Sequence, residues 1–244
     1  MRVSVELCAA SMADVHLARE LGLDSVELCS WLACGGVTPG MGFIRTAMQE
    51  ADMPLRVLVR PNGGGFHYYA AEVQVMRADV AALPGTAHPV VGMLDAQGMP
   101  DLSAFREVIG TASMANVTFH RALDHCPQPL EALKMLLNEG VGRVLTSGGS
   151  TLAVDGLPVL RSLVQQAGTR LQVAVAGGVG PANVLRIVEA TGATEVHFAA
   201  QLADATPQGL ASMSSAHSTA GFATRPDRAK VEGVLEALCK AGLR

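Results

Sequence analysis

The chain has 244 residues, of which 49% are hydrophobic, 16% charged and 4% aromatic, with 18 basic against 22 acidic side chains and a formal net charge of −4. That apolar content excludes intrinsic disorder. The acidic balance argues against nucleic acid or an anionic membrane surface as partner, and no apolar run approaches the roughly 20 residues of a membrane helix. Five cysteines, an odd number with no secretory context, suit free thiols in a reducing cytoplasm.

In chain order a short apolar run, a polar or glycine-bearing loop and a longer stretch of helical period recur. Strands are predicted at Val3–Cys8, Ser25–Cys29, Leu55–Arg60, Pro89–Asp95, Asn116–Arg121, Arg143–Ser147, Leu171–Ala176 and Glu195–Phe198. Helices are predicted near 11–21, 40–51, 70–83, 101–112, 128–139, 152–167, 181–190 and 226–241, with apolar residues three and four apart. Ser11, Asp101 and Pro181 mark helix starts, the proline just inside its helix. Strands alternating with helices imply a parallel sheet, and eight units within a single domain imply a closed (β/α)8 TIM barrel. The alternative is a doubly wound open sheet, which usually has fewer strands and leaves edges. Ser-Val-Glu-Leu-Cys occurs at both 4–8 and 25–29, as equivalent strands of adjacent units would. Residues 199–221 lack any period, and so long a stretch suits a lid, an interface arm or a disordered segment.

In such a barrel chemistry sits at the C-terminal ends of the strands. Those ends carry Glu6 and Cys8, Glu27 and Cys29, Arg60, Asp95, His120 and Arg121, Thr146 and Ser147, and His197. Strand alternation puts Val5 and Leu7 on one face and Glu6 and Cys8 on the other. The apolar face must meet the helices, so Glu6, Cys8, Glu27 and Cys29 point into the barrel near its mouth. Burying two carboxylates together requires positive charge between them, from Arg60, Arg121 or a bound cation. The same residues suit a structural ion-pair network or a ligand pocket. In the second case Glu6, Glu27, Arg60, Asp95, His120 and Arg121 are the catalytic candidates for acid-base work on a small anionic or phosphorylated molecule. His120 and Asp124 could form an acid-base pair, or Asp124 could fix Arg121 and its loop.

Glycine loops after the sixth and seventh strands (Ser147, Gly148, Gly149; Gly177, Gly178) expose backbone N–H groups that suit a phosphate or carboxylate. The loop 60–69 holds three glycines and both tyrosines, as a mobile lid or an ordinary connection would. Cys8 and Cys29, on neighbouring strands, could clamp a soft ion such as Cu(I) or only pack; Cys34 and Met12 add soft atoms nearby. No spacing typical of zinc is present.

Val26-Glu27-Leu28-Cys29, then Gly35-Gly36-Val37-Thr38-Pro39, Arg60-Pro61, Val117-Thr118-Phe119-His120-Arg121-Ala122 and Arg143-Val144-Leu145-Thr146-Ser147-Gly148 together resemble the CutC family, named for copper homeostasis. The resemblance implies a cytoplasmic (β/α)8 barrel, a homo-oligomer, and Cu(I) bound through Cys8 and Cys29. Two loops depart from the family pattern: after the third strand Asn62 and Gly65 stand where Arg-Pro-Arg-Gly-Gly-Asp-Phe is usual, and after His197 Phe198-Ala199-Ala200 replaces a serine-bearing run. Both changes remove polar groups from the mouth and leave the cysteines in place.

Overall fold

The computed structural model describes residues 2–203 and 224–244. Eight parallel strands close into a barrel in sequence order: β1 (Ser4–Ala9), β2 (Ser25–Leu28), β3 (Leu55–Leu58), β4 (His88–Val91), β5 (Thr118–Phe119), β6 (Arg143–Thr146), β7 (Gln172–Val175) and β8 (Glu195–Ala199). The helices are α1 (Met12–Glu20), α2 (Met41–Glu50), α3 (Ala70–Ala82), α4 (Leu102–Ile109), α5 (Pro129–Asn138), α6 (Leu157–Ala167), α7 (Val184–Thr191) and α8 (Arg228–Lys240). Closure satisfies the edges that an open doubly wound sheet would leave.

Alternation along the strands builds two shells. Val5, Leu7, Val26 and Leu28 pack outward with Val15, Leu17 and Ile44 of the helices. Val91, Phe119 and Val144 do the same with Phe105, Leu133 and Leu136. Inside the barrel a smaller apolar set of Cys8, Cys29, Leu58 and Val90 faces Leu145, Ala174 and Ala176. Polar and charged side chains occupy the remaining inward positions.

Local rules explain most boundaries. Ser11 caps α1, its hydroxyl accepting from Asp14 N, and Asp101 caps α4 through Ala104 N. The predicted start of α6 at 152 is too early: residues Ala153–Asp155 form a 3-10 turn. At Gly156, where α6 begins, a Cβ would stand 2.0 Å from the Ser147 carbonyl oxygen. Pro181 lies outside α7 rather than within it. Asn183 is the N-cap, with its side chain tied to Gly180 N and Gly178 O. Several strands end earlier than predicted, β4 by four residues, and β5 is cut at both ends because Asn116 closes a 3-10 turn and Arg121 opens another.

Of the aperiodic stretch, Gln201–Ala203 forms β9, which pairs antiparallel with β10 (Thr224–Pro226) just before α8. Ala199 ends β8, and residues 204–221 lie outside the described residues. Among the described residues, no helix is long and apolar enough to cross a membrane.

Candidate active and metal site at the barrel mouth

The repeated pentapeptide is not laid side by side. Glu6 pairs with Ser25 and Cys8 with Glu27, so β2 is staggered by two residues against β1. Glu6 therefore lies one layer deeper than Glu27. Both glutamates point inward, as alternation requires, but they meet different surroundings.

Glu6 is fully buried at the centre of an ion network. Its Oε2 accepts from Arg56 Nη1 at 2.5 Å and from Ser25 Oγ at 2.9 Å. Its Oε1 accepts from Arg143 Nη2 at 2.6 Å and lies 2.9 Å from His197 Nδ1. Arg143 also reaches Glu195 Oε1 at 2.6 Å and Thr118 Oγ1 at 3.2 Å. Burial alone would raise the Glu6 carboxyl, but Arg143, Arg56 and His197 overcome it and hold the group well below the usual carboxylate range. The expectation that Arg60 or Arg121 neutralises this acid is thus corrected. Arg56 and Arg143, inward-facing residues at the N-terminal ends of β3 and β6, do so, with His197. Glu6 belongs to a structural network beneath the mouth and does not line the cavity above it.

That cavity, about 890 Å³, opens at the C-terminal ends of the strands and is lined by Cys8, Glu27, Arg60, Asp95, His120, Arg121, Gly177, Gly178 and His197, among others. At its floor Cys8 Sγ sits 3.2 Å from Cys29 Sγ. One ligand atom each from Cys8, Glu27 and His197 falls within 4.8 Å of the others, all three residues being buried. Glu27 Oε2 is buried without a hydrogen-bond partner, and burial pushes its carboxyl up. The Cys29 hydrogen bond and burial push the Cys8 thiol up. Burial opposes a charged His197, but Glu27, Cys8 and Glu6 carry its pKa to about 10. The floor therefore sets the Cys8 thiol, with the Cys29 sulfur against it, beside an imidazolium and a partnerless carboxyl. Cys34 also lines the cavity, whereas Met12 packs against the shell of outward-facing residues.

The other candidates separate into positioned and self-satisfied groups. Asp124 does not pair with His120. Its carboxylate accepts from Arg121 Nε, Thr146 Oγ1, Ser147 N, Ser147 Oγ and Gly149 N, while Gly148 N donates to Thr146 Oγ1. The anion-binding reading of Ser147, Gly148 and Gly149 is corrected accordingly: that loop already cradles an anion, the chain's own Asp124. Gly177 and Gly178, both at positive φ, stay on the cavity wall with Lys230. Asp95 holds its own turn through Gln97 N and Met99 N.

The Arg60 guanidinium donates to the carbonyls of Cys34, Gly36 and Gly64. It thereby ties the loop after β2 to the glycine loop after β3. His120 Nδ1 accepts from Ala122 N at 3.1 Å. Sequence reasoning passed over Arg56, Arg143, Glu195 and the role of His197. The available signal was an arginine at an inward position inside an apolar strand, which can only be buried and paired.

The fold and site together define a (β/α)8 barrel protein with a buried two-thiol, carboxylate and imidazole cluster at the floor of its mouth. The CutC family model matches residues 3–202. A CutC family protein of Glaesserella parasuis is 40% identical over 201 residues, 82% of this chain and 83% of that protein. The human protein named copper homeostasis protein cutC homolog is 40% identical over 199 residues, 81% and 73% of the two chains. The CutC crystal structure from Streptococcus agalactiae superposes with a TM-score of 0.75 at 28% identity, covering 80% of this chain and 98% of that one. N-(5'-phosphoribosyl)anthranilate isomerase from Pyrococcus furiosus, at 13% identity and a TM-score of 0.54 over 98% of this chain and 100% of that one, shares the fold alone. The chain belongs to the CutC family.

Proposed function

We infer that the protein serves copper homeostasis by holding Cu(I) between Cys8 and Cys29 at the barrel floor. The observation that carries this reading is the 3.2 Å approach of the two sulfurs. Two soft sulfur donors on successive inward layers of adjacent strands suit a soft monovalent ion. The partnerless Oε2 of Glu27 supplies an oxygen neighbour, and the His197 imidazolium supplies the positive charge that a thiolate pair needs in a buried site. The surrounding Leu58 and Val90 keep the donors dry. Thiols must lose their protons to bind a metal, so uptake releases protons.

The test is competition for Cu(I) against a chelator under anaerobic conditions. The wild-type protein takes up about one equivalent and Cys8→Ser with Cys29→Ser takes up none. Undiminished uptake by the double variant rejects the site. The relatives' names and the cavity position of Cys8 support the reading, and a cytoplasmic location fits five free cysteines.

A further inference from the structure

The cavity holds a second set of groups that the thiol floor does not use. Arg60 is 6% exposed and His120 5% exposed, and both line the cavity. Each carries a polar atom with no partner: Arg60 Nε and His120 Nε2. Among the described residues, no carboxylate lies within salt-bridge distance of Arg60, whose remaining donors go to neutral carbonyls. A buried cation without a counter-charge costs free energy that the fold does not recover internally.

His120 is held as a donor. Burial and the nearby Arg60 charge depress its pKa to about 3, so the ring is neutral. Its Nδ1 accepts the Ala122 amide hydrogen, which leaves the single ring proton on Nε2. The backbone of Gly92 makes room for this ring: a Cβ there would stand 2.3 Å from His120 Nδ1.

One side chain covers both groups. The Phe66 ring lies 5.1 Å from the His120 ring and 5.2 Å from the Arg60 guanidinium carbon. Phe66 follows the glycines at 63–65 and lines the cavity itself.

We propose that Arg60 and His120 form a binding site for a small organic anion, which displaces the Phe66 ring, sets its acidic group against the Arg60 guanidinium and accepts the His120 Nε2 proton on a carbonyl or hydroxyl oxygen. Two partnerless donors, one charged and one neutral with its tautomer fixed, match an acid that bears an adjacent oxygen acceptor. Asp124 already satisfies the glycine loop after β6, so the anion site does not draw on that loop's donors. The inference is independent of copper.

The test is calorimetric titration of metal-free protein with inorganic phosphate, oxalate, glycolate and glycerol 3-phosphate, each to about 10 mM, where even a millimolar site fills. At least one organic anion binds saturably. Affinity falls at least tenfold in His120→Gln and rises in Phe66→Ala, while Arg170→Gln on the exposed surface leaves it unchanged. Since Arg60 ties two loops and Arg60→Gln is prone to unfold, the wild-type His120 Nε2 proton provides a second readout by NMR, and its resonance moves on saturation. No binding of any probe to wild type or Phe66→Ala overturns the proposal. So does binding that is unaltered in His120→Gln with an unmoved Nε2 resonance.

Discussion

Replacing Arg143 with methionine removes the cation at the hub of the barrel interior. The side chain is 5% exposed and bonds to Glu6, Glu195 and Thr118. Glu6 retains Arg56, Ser25 and His197 after the change, so most of the damage falls on Glu195. That residue is 5% exposed and, among the described residues, bonds to no other side chain. Stranding one member of a buried pair costs about 3–5 kcal/mol. In a domain this size that corresponds to about 6–20 °C in Tm, at roughly 2–4 °C per kcal/mol.

The double variant Arg143→Met with Glu195→Leu removes both charges and replaces them with apolar volume. It returns to within about 2 kcal/mol of the wild-type protein, because a buried pair contributes little net stability over a well-packed substitute. Urea denaturation followed by circular dichroism gives both values, and the cycle gives a coupling energy of about 2 kcal/mol or more. If Arg143→Met costs under about 1 kcal/mol, or the double variant is no more stable than the single, the network does not hold the interior as described.

Acid titration provides a further check. The Glu6 carboxyl is depressed, so its contribution to stability is complete above the ordinary carboxylate pKa and is lost as pH falls through the folded value; Glu6→Gln therefore flattens the acid limb of the stability–pH curve. His120 is also depressed, to about 3 against an ordinary 6.5. Its contribution is present above pH 6.5 and declines between about 6.5 and 3, a decline that His120→Gln removes in denaturation measured across that range. His197 runs the other way: raised to about 10, it supports the fold below pH 6.5 and withdraws that support between 6.5 and 10, so His197→Asn gives a shallower alkaline limb. Asp124→Ala empties the cradle of backbone donors and costs about 2–4 kcal/mol. Added formate restores part of that loss in a thermal melt, whereas a variant indifferent to formate contradicts the cradle. Gly92→Ala drives a methyl into the His120 ring and destabilises by about 1–3 kcal/mol, as a urea midpoint would register.

The barrel was legible because each strand alternates an outward Val or Leu with an inward polar residue, as Val5, Glu6, Leu7 and Cys8 do. Alternation also brought Cys8, Glu27, Arg60 and His120 to the mouth, since it requires only a period of two and a known inside. The partners of Glu6 were harder to reach. Arg143 lies 137 positions away in sequence, and only ring closure brings β6 across the interior from β1. The glycine loop after β6 misled for a related reason. Its donors do suit an anion, and Asp124, from the loop after β5, is that anion. Local composition reveals what a loop can bind, but not whether the chain has already supplied it. Predicted strand ends ran long at β3 and β4 because buried apolar residues, Val59, Met93 and Leu94, continue past the last paired residue, and at β5 because Arg121 opens a 3-10 turn.

The two-residue offset between β1 and β2 has a consequence for how the barrel could be altered. The same five letters yield an anchored acid in one strand and an unengaged acid in the next, through tilt alone. Sliding β2 back by two residues would set Glu27 level with Glu6 and Cys29 level with Cys8, and would crowd two negative groups around the same arginines. A register shift that leaves composition untouched would thus take the unengaged carboxyl away from Cys8 while keeping both sulfurs.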